Sequence, residues 1–324
     1  MKILVVRLGA LGDIVHAVPA VAAIRRGLPS AQIDWLVDER HRGVVDLVRG
    51  IDARITIDPS HRLRELPRVL RRLRAERYDV ALDFQGLLKS AVLARWSGAT
   101  RVVGFSRDAL RERTAALFYH EHRSVPRGQH VIAKNLRLAS VLGVDVSQTL
   151  FPFDVPPGPV IPERYALLNP GAAWPNKRWP PAWFGEIAAW LRDDHGLASI
   201  VLWGPRENEL ARQVAAASSG AARLAPPTRI GDLLALARDA RIMISGDTGP
   251  LHLAAAVGTP IVGLYGPTNP IRNGPWRAED VSISQNAECV CHHQRRCRHR
   301  DRRPCIEHIT VAQVRAAIEQ RLSA

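Results

Sequence analysis

The stretch KILVVRLGALGDIVHAVPA, residues 2–20, decides the fold class. Lys2–Val6 reads as a buried strand, because its apolar run is largely branched, and Arg7 cuts it off too early for the apolar core of a signal peptide. Gly9 and Gly12 follow at once, and a helical pattern starts at Ile14 and continues to Leu28. A strand that turns through glycines into a helix brings backbone close to a ligand and aims the first helical amides at it. The spacing is GxxG followed by Asp13, not GxGxxG. Asp13 reads either as a carboxylate facing the crevice or as a helix cap, a role Asp commonly fills. His16, one turn on, reads as packed.

Outward from this unit the rhythm repeats. Gln32–Val37, Arg54–Ile57, Val80–Asp83 and Arg101–Gly104 read as strands, and Val44–Arg49, Leu66–Arg74, Leu88–Trp96 and His130–Leu142 as helices. Strands alternating with helices predict a parallel sheet covered on both faces. Five prolines between Pro152 and Pro162 then exclude helix and central strand, so residues 156–164 read as a stiff linker after a first domain of 1–155. From Tyr165 the alternation restarts. Strands are expected at Tyr165–Leu168, Ser199–Trp203, Arg241–Ser245 and Pro260–Leu264. Helices are expected at Trp183–Arg192, Glu207–Ala217, Ile230–Arg238, Leu251–Val257 and Thr310–Leu322. The expected class is α/β, with two doubly wound domains facing a central cleft and ligands at the carboxyl ends of strands.

Three further constellations fall at such strand ends. SGDTGPLH, Ser245–His252, brackets Asp247 and Thr248 with two glycines and puts Pro250 in a first helical turn, so the free amides of Thr248 and Gly249 suit a diphosphate. NPGAAWPNKRW, Asn169–Trp179, carries Lys177, suited to offset charge on a leaving diphosphate or else part of a solvated basic loop. WGPRENE, Trp203–Glu209, offers Glu207 or Glu209 either to ribose hydroxyls or to the dipole of the helix that follows. No Asp-x-Asp occurs in the chain, so the paired carboxylates that usually hold a divalent ion against a diphosphate are missing.

Composition bounds the rest. The chain has 324 residues, 46% hydrophobic and 23% charged, enough for two globular cores, and no apolar run reaches membrane-span length. The expected location is therefore the cytoplasm. A net charge of +14 favours a phosphorylated or acidic ligand, an anionic membrane or nucleic acid. Only Lys2, Lys89, Lys134 and Lys177 are lysines among 45 basic residues, so a retained lysine marks a place for a compact ammonium. Arginines cluster at Arg62, Arg64, Arg68, Arg71, Arg72, Arg74 and Arg77, and again at Arg101, Arg107, Arg111 and Arg113. The reading is an acidic acceptor site or a solvated face. Cys289, Cys291, Cys297 and Cys305 lie in a Cys/His/Arg-rich segment, 287–308, interleaved with His292, His293, His299 and His308. Their irregular spacing leaves both a structural metal clip and plain reduced thiols open.

The segments GALGDIVHAVPA, DFQGLLKSA, RERTAALFY and SGDTGPLHLAAAVGTPIVGLYGPTNP, in that order, resemble glycosyltransferase family 9, the lipopolysaccharide heptosyltransferases, and most of all its heptosyltransferase I branch. The cysteine-rich segment is more similar to heptosyltransferase II and other members. The resemblance implies the GT-B fold of two Rossmann-like domains and an inverting, metal-independent enzyme. It implies ADP-heptose as donor and a Kdo sugar on lipid A as acceptor, met at the cytoplasmic face of the inner membrane. It further implies Asp13 as general base and Lys177, Thr248 and Gly249 at the diphosphate. Asp247 would sit at the donor sugar and Glu207 at the ribose, with Gly12 and His252 also at the donor. Arg62, Arg64 and Arg111 would hold the acceptor, the first domain thus taking the acceptor and 165–324 the donor. Rival expectations are a family 9 enzyme with another donor or acceptor, such as a heptosyltransferase II-like or protein heptosyltransferase. A nucleotide-sugar epimerase or hydrolase, or a nucleic-acid binder using the basic tail, would lie outside the family.

Overall fold

A computed structural model describes residues 1–289, 291–297 and 304–324, without the side chains of Arg62, Leu63, Glu288 and Pro304. The chain divides into two compact units, Met1–Asp154 and Val155–Ala324.

Unit 1 runs β1 (Lys2–Val6), α1 (Leu11–Val15), α2 (Val18–Gly27), β2 (Gln32–Asp38), α3 (Arg42–Val45), β3 (Ala53–Ile57), α4 (Arg62–Glu76), β4 (Val80–Asp83), α5 (Leu88–Trp96), β5 (Arg101–Phe105), β6 (Glu121–Arg123) and α6 (Val131–Ala139). Its sheet has the order β3-β2-β1-β4-β5-β6 and every pairing is parallel. The central strands are buried on both faces, as such a sheet requires.

Unit 2 runs β7 (Tyr165–Asn169), α7 (Pro181–His195), β8 (Ala198–Val201), α8 (Asn208–Ala217), β9 (Ala222–Leu224), α9 (Ile230–Asp239), β10 (Ile242–Gly246), α10 (Gly249–Ala256), β11 (Ile261–Tyr265), α11 (Pro270–Asn273), β12 (Val281–Ser284), α12 (Pro304–Glu307) and α13 (Val311–Ser323). Its order, β12-β11-β10-β7-β8-β9, is that of unit 1 read from the other edge, again all parallel. The expected doubly wound class therefore holds in both units, with order reversals at β1/β4 and at β7/β10. Crevices open at those reversals, at the carboxyl ends of the strands.

Several expected elements differ. The helix expected over Ile14–Leu28 is two, because Pro19 lacks the amide that would bond the Val15 carbonyl, and the chain breaks at His16–Ala17. Val44–Arg49 is not a helix; α3 ends at Val45 and Val48 instead bridges Phe153. α4 is longer than expected and keeps Pro67 inside it. Strands β6, β9 and β12 were not anticipated. The prolines after Phe153 do not hang free: at Gly231 a Cβ would meet Pro156 at 2.7 Å, and at Gly158 one would meet Ala235 at 2.3 Å, so the segment lies against α9. Among the described residues no helix is long and apolar enough to cross a membrane.

Candidate active site

In unit 1, Asp13 sits in the first turn of α1, beyond the end of β1. Its Oδ1 lies 2.9 Å from the buried guanidinium of Arg7, and Oδ2 accepts the Ala10 amide at 3.3 Å. Both readings of Asp13 thus have a geometric basis. It satisfies a helix-start amide, yet its side chain is 38% exposed at the topological switch, with its charge oriented by Arg7. Arg7 is itself held by the Phe84 carbonyl at 2.5 Å. Gln85, in the loop after β4, accepts the Leu8 amide at 2.7 Å. Below it Asp83 is fully buried and takes hydrogen bonds from Tyr119, Ser90 and the amides of Gln85 and Gly86. Burial nevertheless pushes its carboxyl up. At Gly9 a Cβ would lie 2.7 Å from the His41 ring, so a larger residue there would have to displace that side chain. His16 is buried edge-on against His130, as expected of a packed histidine. Gly12 is buried in the same turn, whereas Arg64 and Arg111 are exposed and the Arg62 side chain lies outside the described residues.

In unit 2 the structure gathers what the sequence scatters. Lys177 Nζ lies 2.5 Å from Asp247 Oδ2 and 4.6 Å from the Trp174 ring centre. The other carboxylate oxygen of Asp247 bonds Asn273 Nδ2 at 2.8 Å and His252 Nε2 at 3.0 Å. Burial alone would raise the Asp247 carboxyl, but the His252 bond and the Lys177 charge outweigh it and hold it well below the usual carboxylate range. Asp247, expected at a donor sugar, is 5% exposed at its side chain and serves in this state as the counter-charge of Lys177.

Next to this pair Thr248 caps α10 by position only. Its hydroxyl is taken by Asn169 at 3.0 Å and Ser245 at 3.1 Å, leaving the amides of the first turn without a side-chain cap. Such amides are an anion site. Gly246 is required here, because a Cβ would meet the Lys177 carbonyl at 2.6 Å. Across the same strand ends Glu207 turns inward, accepting the Gly204 amide at 3.1 Å and standing 3.8 Å from Arg178. Glu209 is exposed and, among the described residues, accepts from Gln213 of its own helix, so the structure separates the two glutamates.

The four cysteines converge. Cys289, Cys291 and Cys305 are buried in one cluster with Cys297 against it, Cys291 and Cys297 having sulfurs 3.9 Å apart. Burial and the neighbouring Cys289 and Cys297 push the Cys305 thiol up to about 12. Among the described residues no group of three or more His, Cys, Asp or Glu side chains is placed to hold a metal ion. His299 lies outside the described residues. The segment and the residue just after it buttress the lysine loop: Asn176 bonds the Gln294 carbonyl at 2.9 Å and Trp179 the Ile309 carbonyl at 2.7 Å. The sequence reading gives no site role to Arg7, Asn169, Ser245 or Asn273, although the first three stand in its quoted motifs. For Arg7 a signal was available, an arginine ending an otherwise apolar strand; the others reveal themselves only through their partners.

The profile of glycosyltransferase family 9 (heptosyltransferase) matches residues 66–302. The lipopolysaccharide heptosyltransferase 1 of Pseudomonas aeruginosa PAO1 is 32% identical over 309 residues, 90% of this chain and 85% of that one. That of Escherichia coli K12 is 27% identical over 286 residues, 83% of this chain and 89% of that one. Among solved structures, E. coli heptosyltransferase WaaC with ADP superposes with a TM-score of 0.83 at 24% identity, covering 99% of this chain and all of that one. A family 9 glycosyl transferase from Veillonella parvula gives 0.83 at 23%, covering 99% and 97%. The chain belongs to glycosyltransferase family 9.

Proposed function

We propose that this chain transfers heptose from ADP-L-glycero-D-manno-heptose to the Kdo/inner-core region of lipopolysaccharide, inverting the anomeric centre. Its heptosyltransferase 1 relatives support the substrate class, as does the likeness to WaaC bound to ADP and to ADP-2-deoxy-2-fluoro heptose. The observation that carries the chemistry is the Lys177 ammonium beside the uncapped start of α10. A fixed cation and free helical amides stabilise charge gathering on a departing diphosphate, the role a divalent ion takes elsewhere.

In this reading the acceptor hydroxyl oxygen attacks the anomeric carbon as Asp13 takes its proton, and the bond from that carbon to the β-phosphate oxygen breaks. ADP departs with the electron pair. Arg7 keeps the Asp13 carboxylate aimed, Glu207 takes the ribose hydroxyls, and Thr248, Gly249 and Gly12 border the donor. Asp247 and His252 set the position of Lys177 as well as lining the donor side. Arg62, Arg64 and Arg111 take the carboxylates and phosphates of an acidic Kdo–lipid A acceptor, presented at the cytoplasmic face of the inner membrane. Neither a metal nor nucleic acid has a part in this scheme.

The test measures ADP release from ADP-heptose with and without Kdo–lipid A, and the anomeric configuration of the product by NMR. Release is expected only with the acceptor. Equal release without it makes the protein a hydrolase, and turnover of another nucleotide sugar in preference removes the donor assignment.

A further inference from the structure

Most of the outer face of α4 has no part in the transfer scheme. Arg64, Arg68, Arg71 and Arg72 recur at the i, i+4, i+7 and i+8 spacing that aligns side chains in one stripe, and all four are exposed. Val69, Leu70 and Leu73 are buried on the inner side. Arg74 and Arg77, off this stripe, are exposed as well. The acids of the helix do little to balance it. Glu65 pairs with Arg68 at 3.1 Å, and Glu76 is drawn away to Lys2, also at 3.1 Å. Among the described residues Arg71 and Arg72 lie within ion-pair distance of no carboxylate. Like charges one turn apart weaken a helix, so folding does not explain the stripe.

Two neighbours narrow the choice of partner. An open hollow of about 480 Å³ lies on the same helix, lined by Leu66, Pro67, Leu70, Arg71 and Arg74. At its margin Arg74 Nε donates to the carbonyl of Trp96, whose side chain is among the few large exposed apolar ones of unit 1. Arginines around an apolar hollow, with an exposed tryptophan on the neighbouring segment, match a bilayer interface: guanidinium heads reach lipid phosphates while stems and rings meet the upper acyl region. A nucleic acid would use the charges and leave the apolar hollow unfilled.

We propose that the arginine face of α4 docks this enzyme onto anionic phospholipid headgroups of a bilayer. Arg64 is shared with the acceptor site, whereas Arg68, Arg71 and Arg72 have no part in the transfer scheme; the test varies only these three and needs neither donor nor acceptor, so it stands or falls apart from the heptosyltransferase reading.

The experiment is vesicle flotation of the full chain with phosphatidylcholine alone and with phosphatidylcholine plus phosphatidylglycerol, at low and high salt. The triple variant Arg68→Gln, Arg71→Gln, Arg72→Gln is compared with the corresponding triple lysine variant, after circular dichroism has checked that both are folded. Wild type is expected to float with the anionic vesicles only, and high salt should release it. The glutamine variant should lose partitioning about 100-fold, from about fivefold per arginine near a charged surface, and the lysine variant should keep most of it. Equal flotation on neutral vesicles overturns the proposal, as does a folded glutamine variant that partitions like wild type. Tighter binding to a short DNA duplex than to anionic vesicles, abolished by the glutamine substitutions, transfers the face to nucleic acid.

Discussion

Asp247→Asn tests the centre of the unit 2 site. The substitution keeps the shape and one acceptor oxygen but removes the charge opposing Lys177, whose side chain is 15% exposed, and turns an amide toward donors that need an acceptor. Breaking a buried pair from one side costs about 3–5 kcal/mol, and the partial exposure of Lys177 places the cost near 3. At about 2–4 °C per kcal/mol for a unit of this size, Tm at pH 7 should fall by about 6–12 °C. The pH dependence has a definite sign. Asp247 has its folded pKa depressed, so its contribution is complete above the unfolded value of about 3.9 and is lost as pH falls toward the folded one. The gap between wild type and variant should therefore hold from pH 7 to 5 and narrow below about pH 4. Thermal melts of both proteins across this range, with Lys177→Met and the double variant, complete the assay. If the uncompensated ammonium is the cause, the double variant is more stable than Asp247→Asn alone. A Tm change under about 2 °C at pH 7, or a gap that persists unchanged at pH 3, refutes the reasoning.

Asp13→Asn should lower kcat by about 10²–10⁴-fold while ADP affinity holds; a pure capping role predicts a near-normal kcat, because Asn caps as well as Asp. Arg111→Ala should raise the acceptor KM by about 10–100-fold, the worth of a charged hydrogen bond, and leave the donor KM near its starting value. A matching rise in both would move the acceptor elsewhere. Gly246→Ala drives a Cβ to 2.6 Å from the Lys177 carbonyl, so calorimetry should show weaker ADP binding and melting a loss of about 1–3 kcal/mol. Turnover should survive EDTA, since the proposed scheme gives the leaving-group charge to Lys177 and the α10 amides; activity restored only by Mg²⁺ or Mn²⁺ contradicts that assignment.

The sequence announces the central strands because both their faces are buried, which leaves nearly unbroken apolar runs such as KILVV and RIMIS. β6 reads EHR and β9 reads ARL; three residues with charges carry no strand period, and only the neighbouring strand makes them strands. The break between α1 and α2 was legible in Pro19, but the apolar pattern runs across it. Glycine-flanked loops at strand ends pointed to the candidate site, and spacing alone left Glu207 and Glu209 equal. What separates them is three-dimensional: Glu207 fits against Gly171, where a Cβ would strike its carboxylate at 2.3 Å. In the same way no motif couples Asn273 to Asp247, because α11 reaches that carboxylate through tertiary packing.

The short outer strands β6 and β9 also govern self-association. An all-parallel open sheet ends in unpaired amides and carbonyls that can template another chain. Here one end strand of each sheet is only three residues long. β6 is clamped to β5 by a bidentate Arg101–Glu121 pair at 2.7 and 2.9 Å, and Arg223 of β9 is engaged by Glu163. An incoming strand would meet little free ladder there, flanked by charge. At these two borders the fold leaves little purchase for edge-to-edge polymerisation.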